Sequence, residues 1–368
     1  MISLRKQTAS ARSTKRRLLL MKGNEALAEA ALQAGCRFYA GYPITPQNEI
    51  PEFMSRKMPS VNGTFIQAES ELASINMVFG ASAAGVRAMT SSSGPGISLM
   101  QEGISFLAIA ELPSVIVNVQ RGGPGLGNIT ASQGDYFQAV KGGGHGDYRC
   151  IVYSPFNVQE MWDLTMRAFD KADQYRTPVI ILSDGVIGQM MEPFSPTPYR
   201  RPKLPGKDWV LDGCSGRQPR VIKTLYMGAG ELESRNLDLS AKYRTLSRRE
   251  TMHEAYFMED AQMVAVASGV AARIALSAIK DLRDEGLRIG LFRPISLFPF
   301  PSVELSSAAC RTKKLFVIEM NAGQMVEDVR LAVNGSTAVL FYGRPGGVVL
   351  TPEEIYRRLK TAYRHCIR

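Results

Sequence analysis

The sequence of 368 residues is poor in metal-ligating side chains, with five cysteines and three histidines. The cysteines form no Cys-x-x-Cys pair, so we expect neither zinc nor iron–sulfur ligation within this chain. Isolated thiols fit a reducing compartment better than a disulfide framework, and we expect a cytoplasmic protein. No apolar run reaches the roughly 18 residues of a membrane-spanning helix, so we expect no membrane segment.

Acidic residues are absent from the first twenty positions, which carry six of the lysines and arginines. The net charge of +10 therefore falls to +4 over the other 348 residues, and we expect no nucleic-acid binding by the folded part. We interpret residues 1–20 as a disordered basic extension. A transit peptide is an alternative, because the stretch is also rich in serine and arginine.

Helical and strand patterns alternate from residue 22 onward. Helical stretches at 72–84, 97–110 and 157–175 separate short apolar runs. This alternation is typical of a parallel sheet covered by helices, an α/β fold. The predicted strands of the first domain, residues 21–192, lie at 37–43, 63–69, 87–93, 113–120, 149–155 and 178–185.

A proline-rich stretch begins at residue 193, and we predict a linker over 193–260. A second α/β domain follows over 261–368, with strands at 262–268, 288–294, 314–320 and 337–343. Its last helix should begin at Pro352, with Thr351 as N-cap and Glu354 closing a capping box. In this domain Glu319 and Asn321 fit helix capping, and the segment around them is predicted to serve subunit assembly.

The polar and glycine-rich stretches of the first domain follow its predicted strands. They read YPITP after the first strand, AESE after the second, SSSGPG after the third and QRGGPGLGN after the fourth. Ligands bind at the carboxyl ends of the strands of an open parallel sheet. We therefore expect a binding site at this edge, although short loops between strands and helices also need glycine.

Thr45 and two glutamates admit both a structural and a functional interpretation. Thr45, followed by Pro46, fits an N-cap with proline at the first helical position, and its hydroxyl would then project into the crevice. Pro51 should bend that helix or end it early. Glu71 fits an acid stabilising a helix N-terminus, and Glu69 fits a solvent-facing strand end.

The ordered series YPITP, QAESELASI, TSSSGPG and QRGGPG resembles the α subunit of the 2-oxoacid:ferredoxin oxidoreductases. The likeness continues through ASQGD, GGGHGDY, RPISLFPFP, EMNAGQMVEDVRLAVNG and FYGRPGG to the end of the chain. These are thiamine-diphosphate enzymes acting on 2-oxoglutarate or branched-chain 2-oxoacids such as 3-methyl-2-oxobutanoate. The resemblance implies a pyrimidine-type cofactor-binding domain followed by a transketolase C-terminal-like domain.

The resemblance also assigns roles to individual residues. Glu71 would bind the aminopyrimidine ring of thiamine diphosphate and set its protonation, with Glu69 as the alternative carboxylate. Thr45 would lie near the thiazolium and the substrate carbonyl. Arg121 would clamp the substrate carboxylate, with Gly122 beside it. His145, in a glycine loop, is a weaker candidate. Further cofactor contacts are implied for Tyr42, Pro43, Ile44 and Gly94.

We find no GDG…N-type segment for Mg²⁺ and the diphosphate in this sequence. The resemblance therefore implies half an active site, with a β subunit supplying the diphosphate site, Mg²⁺ and iron–sulfur clusters. Coenzyme A and ferredoxin would complete the oxidative decarboxylation, and γ and δ subunits can accompany the β subunit. The alternatives are a non-catalytic assembly subunit and a self-sufficient thiamine-dependent decarboxylase.

Overall fold

The structure, a computed structural model, describes residues 18–367. Most of the basic extension expected over 1–20 lies outside the described residues. Its last part does not, because Leu19 and Leu20 belong to a strand that pairs with residues 191–194. The strands are β1 (Leu19–Lys22), β2 (Phe38–Gly41), β3 (Thr64–Gln67), β4 (Ala88–Ser92), β5 (Ser114–Gln120), β6 (Ile151–Tyr153), β7 (Pro178–Asp184), β8 (Met191–Phe194), β9 (His253–Tyr256), β10 (Met263–Val266), β11 (Ile289–Pro294), β12 (Ser296–Phe298), β13 (Lys314–Glu319) and β14 (Ala338–Gly343).

Helices occupy most of the connections between these strands. The short helix over Met58–Val61 is of the 3₁₀ type. The α-helices are α1 (Gly23–Gln33), α2 (Glu49–Lys57), α3 (Glu71–Ala83), α4 (Pro95–Ile109), α5 (Tyr136–Val140), α6 (Val158–Tyr175), α7 (Gly185–Gln189), α8 (Glu231–Arg249), α9 (Gly269–Asp284), α10 (Ser302–Ala309), α11 (Met325–Val333) and α12 (Pro352–Ile367).

The first sheet has the strand order β12-β6-β7-β5-β4-β2-β3 and is parallel except for β12. Helices α1 and α6 pack together on one face, and α3 and α4 on the other. Alternate residues of β5 serve the two faces: Val115 and Val117 join one apolar cluster and Ile116 the other. Burial of both faces explains the continuous apolar runs in the sequence.

The second sheet, of order β14-β13-β10-β11-β9, is parallel except for β9. Two strands cross the predicted domain boundaries. Strand β9 comes from the predicted linker, and β12, from the predicted second domain, pairs with β6 at the edge of the first sheet. Both apolar clusters also contain residues of both sheets. The halves are therefore packed on one shared core.

One prediction for the second half needs correction. Thr351 caps α12, since its hydroxyl accepts from the backbone N–H of Glu354 at 3.2 Å, but the Glu354 carboxylate turns to Arg344 instead of closing the box. The segment after β13 contacts the first half of the same chain, through Asn321 and Gln133, and its role in subunit assembly stays a prediction. Glu319 caps α11, accepting from the backbone of Met325 and Val326 at 2.8 and 2.9 Å.

Arg293 on β11 is fully buried and joins the two halves. Its guanidinium donates to Glu160 of α6 at 2.9 Å and to Glu254 of β9 at 2.8 Å, and lies 4.4 Å from the ring centroid of Phe156. Removing one partner of a buried ionic network leaves the other charges uncompensated. We expect Arg293→Ala to lower the free energy of unfolding by about 3–5 kcal/mol.

Urea denaturation followed by circular dichroism measures this loss. Lys223→Ala is the matched control, because the Lys223–Glu231 pair is half exposed on both sides and exposed pairs contribute little. A denaturation midpoint for Arg293→Ala equal to that of the control would contradict the assigned role of this network.

Candidate active site

In the first sheet, the side on which successive strands are added reverses after β3. Strand β3 lies on one side of β2 and β4 lies on the other, so the loops leaving β2 and β3 diverge from those leaving β4 and β5. Such a switch point opens a crevice at the carboxyl ends of the strands. The loop after β2 carries Thr45, that after β4 carries Gly94, and β5 is followed by Arg121.

Glu71 is the first residue of α3, and its side chain turns into the crevice floor. It is 4% exposed and accepts a hydrogen bond from the Ser92 hydroxyl at 3.0 Å. The helix start is capped independently, because the Ser70 hydroxyl accepts from the backbone N–H of Ala73. Glu71 is therefore not needed as a cap, and its carboxylate keeps acceptor capacity for a further donor. Glu69, the alternative, is exposed.

Gly96 makes room for the Glu71–Ser92 pair. A Cβ added at Gly96 would lie 2.2 Å from Glu71 Oε1 and 2.1 Å from Ser92 Oγ. A side chain at this position would displace the carboxylate. The second glycine of the SSSGPG motif is thus required by the close approach of these two side chains, in addition to any need of a short loop for flexibility.

The predicted capping role of Thr45 is wrong. Helix α2 begins only at Glu49, and Thr45 lies in a turn closed by the N–H of Gln47 bonding to the carbonyl of Ile44 at 3.1 Å. This later start puts Pro51 in the first turn, where a proline is tolerated and the expected bend does not arise. Thr45 is half-buried, and its hydroxyl has no hydrogen-bond partner within residues 18–367. Of the other residues predicted here, Tyr42 and Pro43 are exposed and Ile44 is half-buried.

Gln47, which the sequence analysis missed, fixes the Thr45 turn. It is fully buried, accepts from the Ser91 hydroxyl at 2.5 Å and donates to the carbonyl of Tyr42 at 3.2 Å. Ser91 in turn bonds the Tyr39 hydroxyl at 2.6 Å. The turn after β2 is therefore tied to the end of β4. A glutamine after Thr-Pro carries no sequence signal of this role.

Arg121 closes the crevice and is 9% exposed. Its Nη1 donates to the carbonyl of Thr45 and its Nη2 to that of Leu126, each at 3.0 Å. Its Nε is buried without a hydrogen-bond partner in the described part of the chain, 3.3 Å from where a Cβ on Gly94 would stand. A guanidinium has five N–H groups, so the two carbonyls hold it in place and leave others for a ligand.

Gly122 serves the loop itself. Its N–H donates to the carbonyl of Thr130 and its carbonyl accepts from Asn128, both at 2.9 Å. A Cβ on Gly122 would lie 2.5 Å from the Asn128 side chain. Both backbone groups of Gly122 are bonded inside the loop, and the contact with substrate that the resemblance implies stays a prediction. His145 is exposed on a separate loop.

No sequence pattern singled out two carboxyl groups near the crevice, those of the half-buried Asp135 and the buried Asp184. Burial raises the pKa of Asp135, opposed by a 2.9 Å hydrogen bond from Asn118 and by the charge of Arg121. Burial also raises the pKa of Asp184 to about 6, opposed by the backbone N–H groups of Val186 and Ile187. Asp135 follows a glycine and Asp184 is the last residue of β7, and both positions are too common for an acid to single it out.

Over residues 18–367, no cluster of three or more His, Cys, Asp or Glu side chains has metal-ligand geometry. Nor does any helix in that range have the length and apolarity to cross a bilayer.

Residues 29–215 match the protein family described as pyruvate flavodoxin/ferredoxin oxidoreductase, thiamine diphosphate-binding. Residues 261–355 match pyruvate:ferredoxin oxidoreductase core domain II. The chain belongs to the 2-oxoacid:ferredoxin oxidoreductases. The family and the fold class predicted from the sequence are thereby confirmed.

Relatives within the 2-oxoacid:ferredoxin oxidoreductases align over nearly the whole chain. Ketoisovalerate oxidoreductase subunit VorB of Methanothermobacter thermautotrophicus is 48% identical, covering 93% of this chain and 97% of the relative. The 2-oxoglutarate synthase subunit KorA of Methanothermobacter marburgensis is 38% identical, covering 92% and 97%.

Two solved structures are similar to this oxidoreductase chain. The 2-oxoglutarate:ferredoxin oxidoreductase from Magnetococcus marinus, with 2-oxoglutarate, coenzyme A and succinyl-CoA bound, has a TM-score of 0.86 and 29% identity, over 97% of this chain and 67% of that one. A split-gene transketolase, described as an inactive β4 tetramer, has a TM-score of 0.57 at 14% identity over 93% of this chain and 96% of that one, and shows the fold alone.

The crevice of this oxidoreductase subunit fits the pyrimidine half of thiamine diphosphate. A buried carboxylate with spare acceptor capacity stands at its floor, and Ser93 Oγ and Arg121 Nε beside Gly94 are buried without partners in the described residues.

Proposed function

We propose that this chain is the α subunit of a 2-oxoacid:ferredoxin oxidoreductase and supplies the pyrimidine-binding half of a shared active site. The reaction is the oxidative decarboxylation of a 2-oxoacid, with coenzyme A accepting the acyl group and ferredoxin the electrons. The observation that supports this most is the buried Glu71–Ser92 pair at the switch point of the first sheet.

Each residue of the crevice has a distinct task. Glu71, poorly solvated and oriented by Ser92, holds a proton at its carboxylate against the pyrimidine ring. Arg121 binds the substrate carboxylate with the N–H groups that the carbonyls of Thr45 and Leu126 leave free. Thr45 offers its hydroxyl beside them. Thiamine diphosphate, when bound, supplies the nucleophilic carbon and the electron sink for decarboxylation.

We propose a branched-chain 2-oxoacid, such as 3-methyl-2-oxobutanoate, as the substrate. The 48% identity to a ketoisovalerate oxidoreductase subunit, against 38% to 2-oxoglutarate synthase subunits, favours it over 2-oxoglutarate.

A substrate panel on the assembled complex tests this function. Coenzyme A-dependent reduction of a viologen dye is measured with 3-methyl-2-oxobutanoate, 2-oxoglutarate and pyruvate. We expect the branched-chain acid to give the highest kcat/KM. Activity of this chain without a partner subunit would instead favour a self-sufficient decarboxylase.

The rim of the crevice supports a shared site. Five large apolar side chains that are 40–80% exposed stand next to site residues: Tyr42, Leu72, Leu99, Leu126 and Ile129. Several exposed large apolar side chains next to a polar site are typical of a protein interface. We propose that the β subunit covers this rim and brings the diphosphate site, Mg²⁺ and iron–sulfur clusters. Assembly with γ and δ subunits, and a cytoplasmic location, complete the proposal.

Leu126→Asp should weaken assembly with the β subunit. The side chain is 80% exposed, so the substitution spares the fold but places a charge in the interface. We expect the subunit dissociation constant, measured by calorimetry or size-exclusion titration, to rise at least about tenfold. Leu331→Asp, at a 74% exposed position on α11, is the control and should bind normally. Equal affinity of both variants would argue against the rim.

A further inference from the structure

The second half of the chain contacts the loop that follows Arg121, the candidate substrate-binding arginine. We call residues 122–130, between Arg121 and Ala131, the arginine loop, since these two residues form an antiparallel bridge at its base. We call residues 344–347, after β14, the glycine turn. Contacts from the second sheet reach the arginine loop at two separate places.

The first contact joins the loop to the glycine turn. Asn128 donates from Nδ2 to the carbonyl of Gly346 at 2.8 Å. The same side chain accepts, at Oδ1, from the backbone N–H of Thr130 at 3.1 Å and from the Thr130 hydroxyl at 2.6 Å. Asn128 therefore fixes the loop internally and ties it to the second sheet.

The fit between the two segments leaves no space for a side chain at Gly347. A Cβ there would lie 2.1 Å from Thr130 Oγ1 and 2.6 Å from Asn128 Oδ1. The backbone of Gly347 also has φ +81°, a conformation that favours glycine. The neighbouring Gly346 faces open space, so the close approach is specific to one position.

The second contact lies just beyond the base of the loop. Gln133 and Met320 exchange two hydrogen bonds, Gln133 N–H to the Met320 carbonyl at 3.0 Å and Met320 N–H to Gln133 Oε1 at 3.1 Å. Asn321 adds a 2.8 Å bond to the Gln133 carbonyl. Asn321 is itself held by Glu319, at 2.9 Å, so this anchor is rigid.

Both anchors come from one edge of the second sheet. Strands β13 and β14 are paired, with Glu319 opposite Gly343, and the two contacting segments leave the sheet at these residues. Inside the loop, the Leu126 carbonyl accepts from Arg121 Nη2 at 3.0 Å. An unbroken series of contacts therefore runs from the second sheet, through Asn128 and the arginine loop, to the guanidinium.

We propose that the glycine turn positions Arg121 for the substrate carboxylate, with Asn128 and Gly347 as positioning residues. This role rests on the proposed function of Arg121. A guanidinium binds a carboxylate through two parallel hydrogen bonds, which tolerate little displacement. The second half of the chain would thus set the affinity for the 2-oxoacid without touching it.

Gly347→Ala in the assembled complex tests the proposal. We expect the KM for the 2-oxoacid to rise roughly tenfold, with kcat and the KM for coenzyme A nearly unchanged. Gly335→Ala is the control, because Gly335 has the same kind of backbone, φ +79°, but a Cβ there meets open space. Gly335→Ala introduces the same backbone strain as Gly347→Ala without moving the arginine loop. The KM of Gly335→Ala for the 2-oxoacid should stay at the wild-type value.

A second arm shows that the effect passes through Arg121. In an Arg121→Lys background, Gly347→Ala should raise the KM no further, since the group it positions has been replaced. A general loss of stability would lower the melting temperature and act equally in both backgrounds. Should Gly347→Ala fail to assemble, Asn128→Asp is the second variant. It replaces the donor to Gly346 by a charged carboxylate oxygen, which cannot bond that carbonyl, and it should raise the same KM.

The outcomes separate this inference from the proposed function. If Arg121→Lys itself leaves the KM unchanged, the assigned substrate role of Arg121 is wrong. If Arg121→Lys raises the KM while Gly347→Ala and Asn128→Asp do not, Arg121 binds substrate but needs no support from the glycine turn, and the inference is overturned.

Discussion

Glu71→Gln should lower kcat of the assembled enzyme by about a thousandfold, within the range for loss of a general acid–base group. The amide has the same shape and can keep the contact with Ser92, but it cannot exchange a proton with the pyrimidine ring. Because the amide matches the carboxylate in shape and the helix is capped by Ser70, we expect the fold to survive. Viologen-dye reduction under saturating substrate measures the effect.

Glu69→Gln is the matched control for that experiment. It makes the same chemical change two residues earlier on an exposed side chain, so kcat should be unaffected. Melting curves of both variants distinguish lost chemistry from lost folding. Full activity of Glu71→Gln would remove the basis of the catalytic assignment and favour a non-catalytic assembly subunit.

Arg121→Lys should raise the KM for the 2-oxoacid by roughly ten- to a hundredfold, with a smaller effect on kcat. Lysine keeps the charge, but one ammonium cannot reach the carbonyls of Thr45 and Leu126 and also grip a carboxylate with two parallel bonds. A charge-assisted hydrogen bond contributes about 1.5–3 kcal/mol, which corresponds to this range. Steady-state kinetics at fixed coenzyme A gives the KM.

Arg149→Lys is a suitable comparison for Arg121→Lys. Its guanidinium also donates to two backbone carbonyls, those of Lys141 and Tyr148, but it lies outside the crevice. The KM of this variant should equal that of the wild type. A similar rise in both variants would point to a structural effect shared by arginines that brace loops.

The regular elements were predictable because their signals are local. Strands such as β5 and β7 are buried on both faces, which produces continuous apolar runs that stand out in the sequence. The Thr351–Pro352 start of α12 was predictable for the same reason, as the cap and the helix are adjacent. The expectation of a site at this edge rested on the composition of the loops that follow the strands.

The failures involve contacts between residues distant in sequence. Thr45-Pro46 has the pattern of a helix start, yet the turn is set by Gln47 bonding to Ser91, 44 residues away. Arg121 was assigned through a resemblance, but no local pattern shows that its guanidinium braces the carbonyls of Thr45 and Leu126. The linker prediction missed β9 because pairing with β11 is decided by the partner strand.

Strand β12 has a practical consequence for anyone who wishes to cut this chain. A fragment ending near residue 260 would lose the strand that borders β6, leaving a bare row of backbone donors and acceptors. Such a fragment would tend to aggregate, and in the remaining fragment β12 would lack its partner strand β6. Gene fusions, tags and domain exchanges should therefore treat residues 18–367 as one indivisible block.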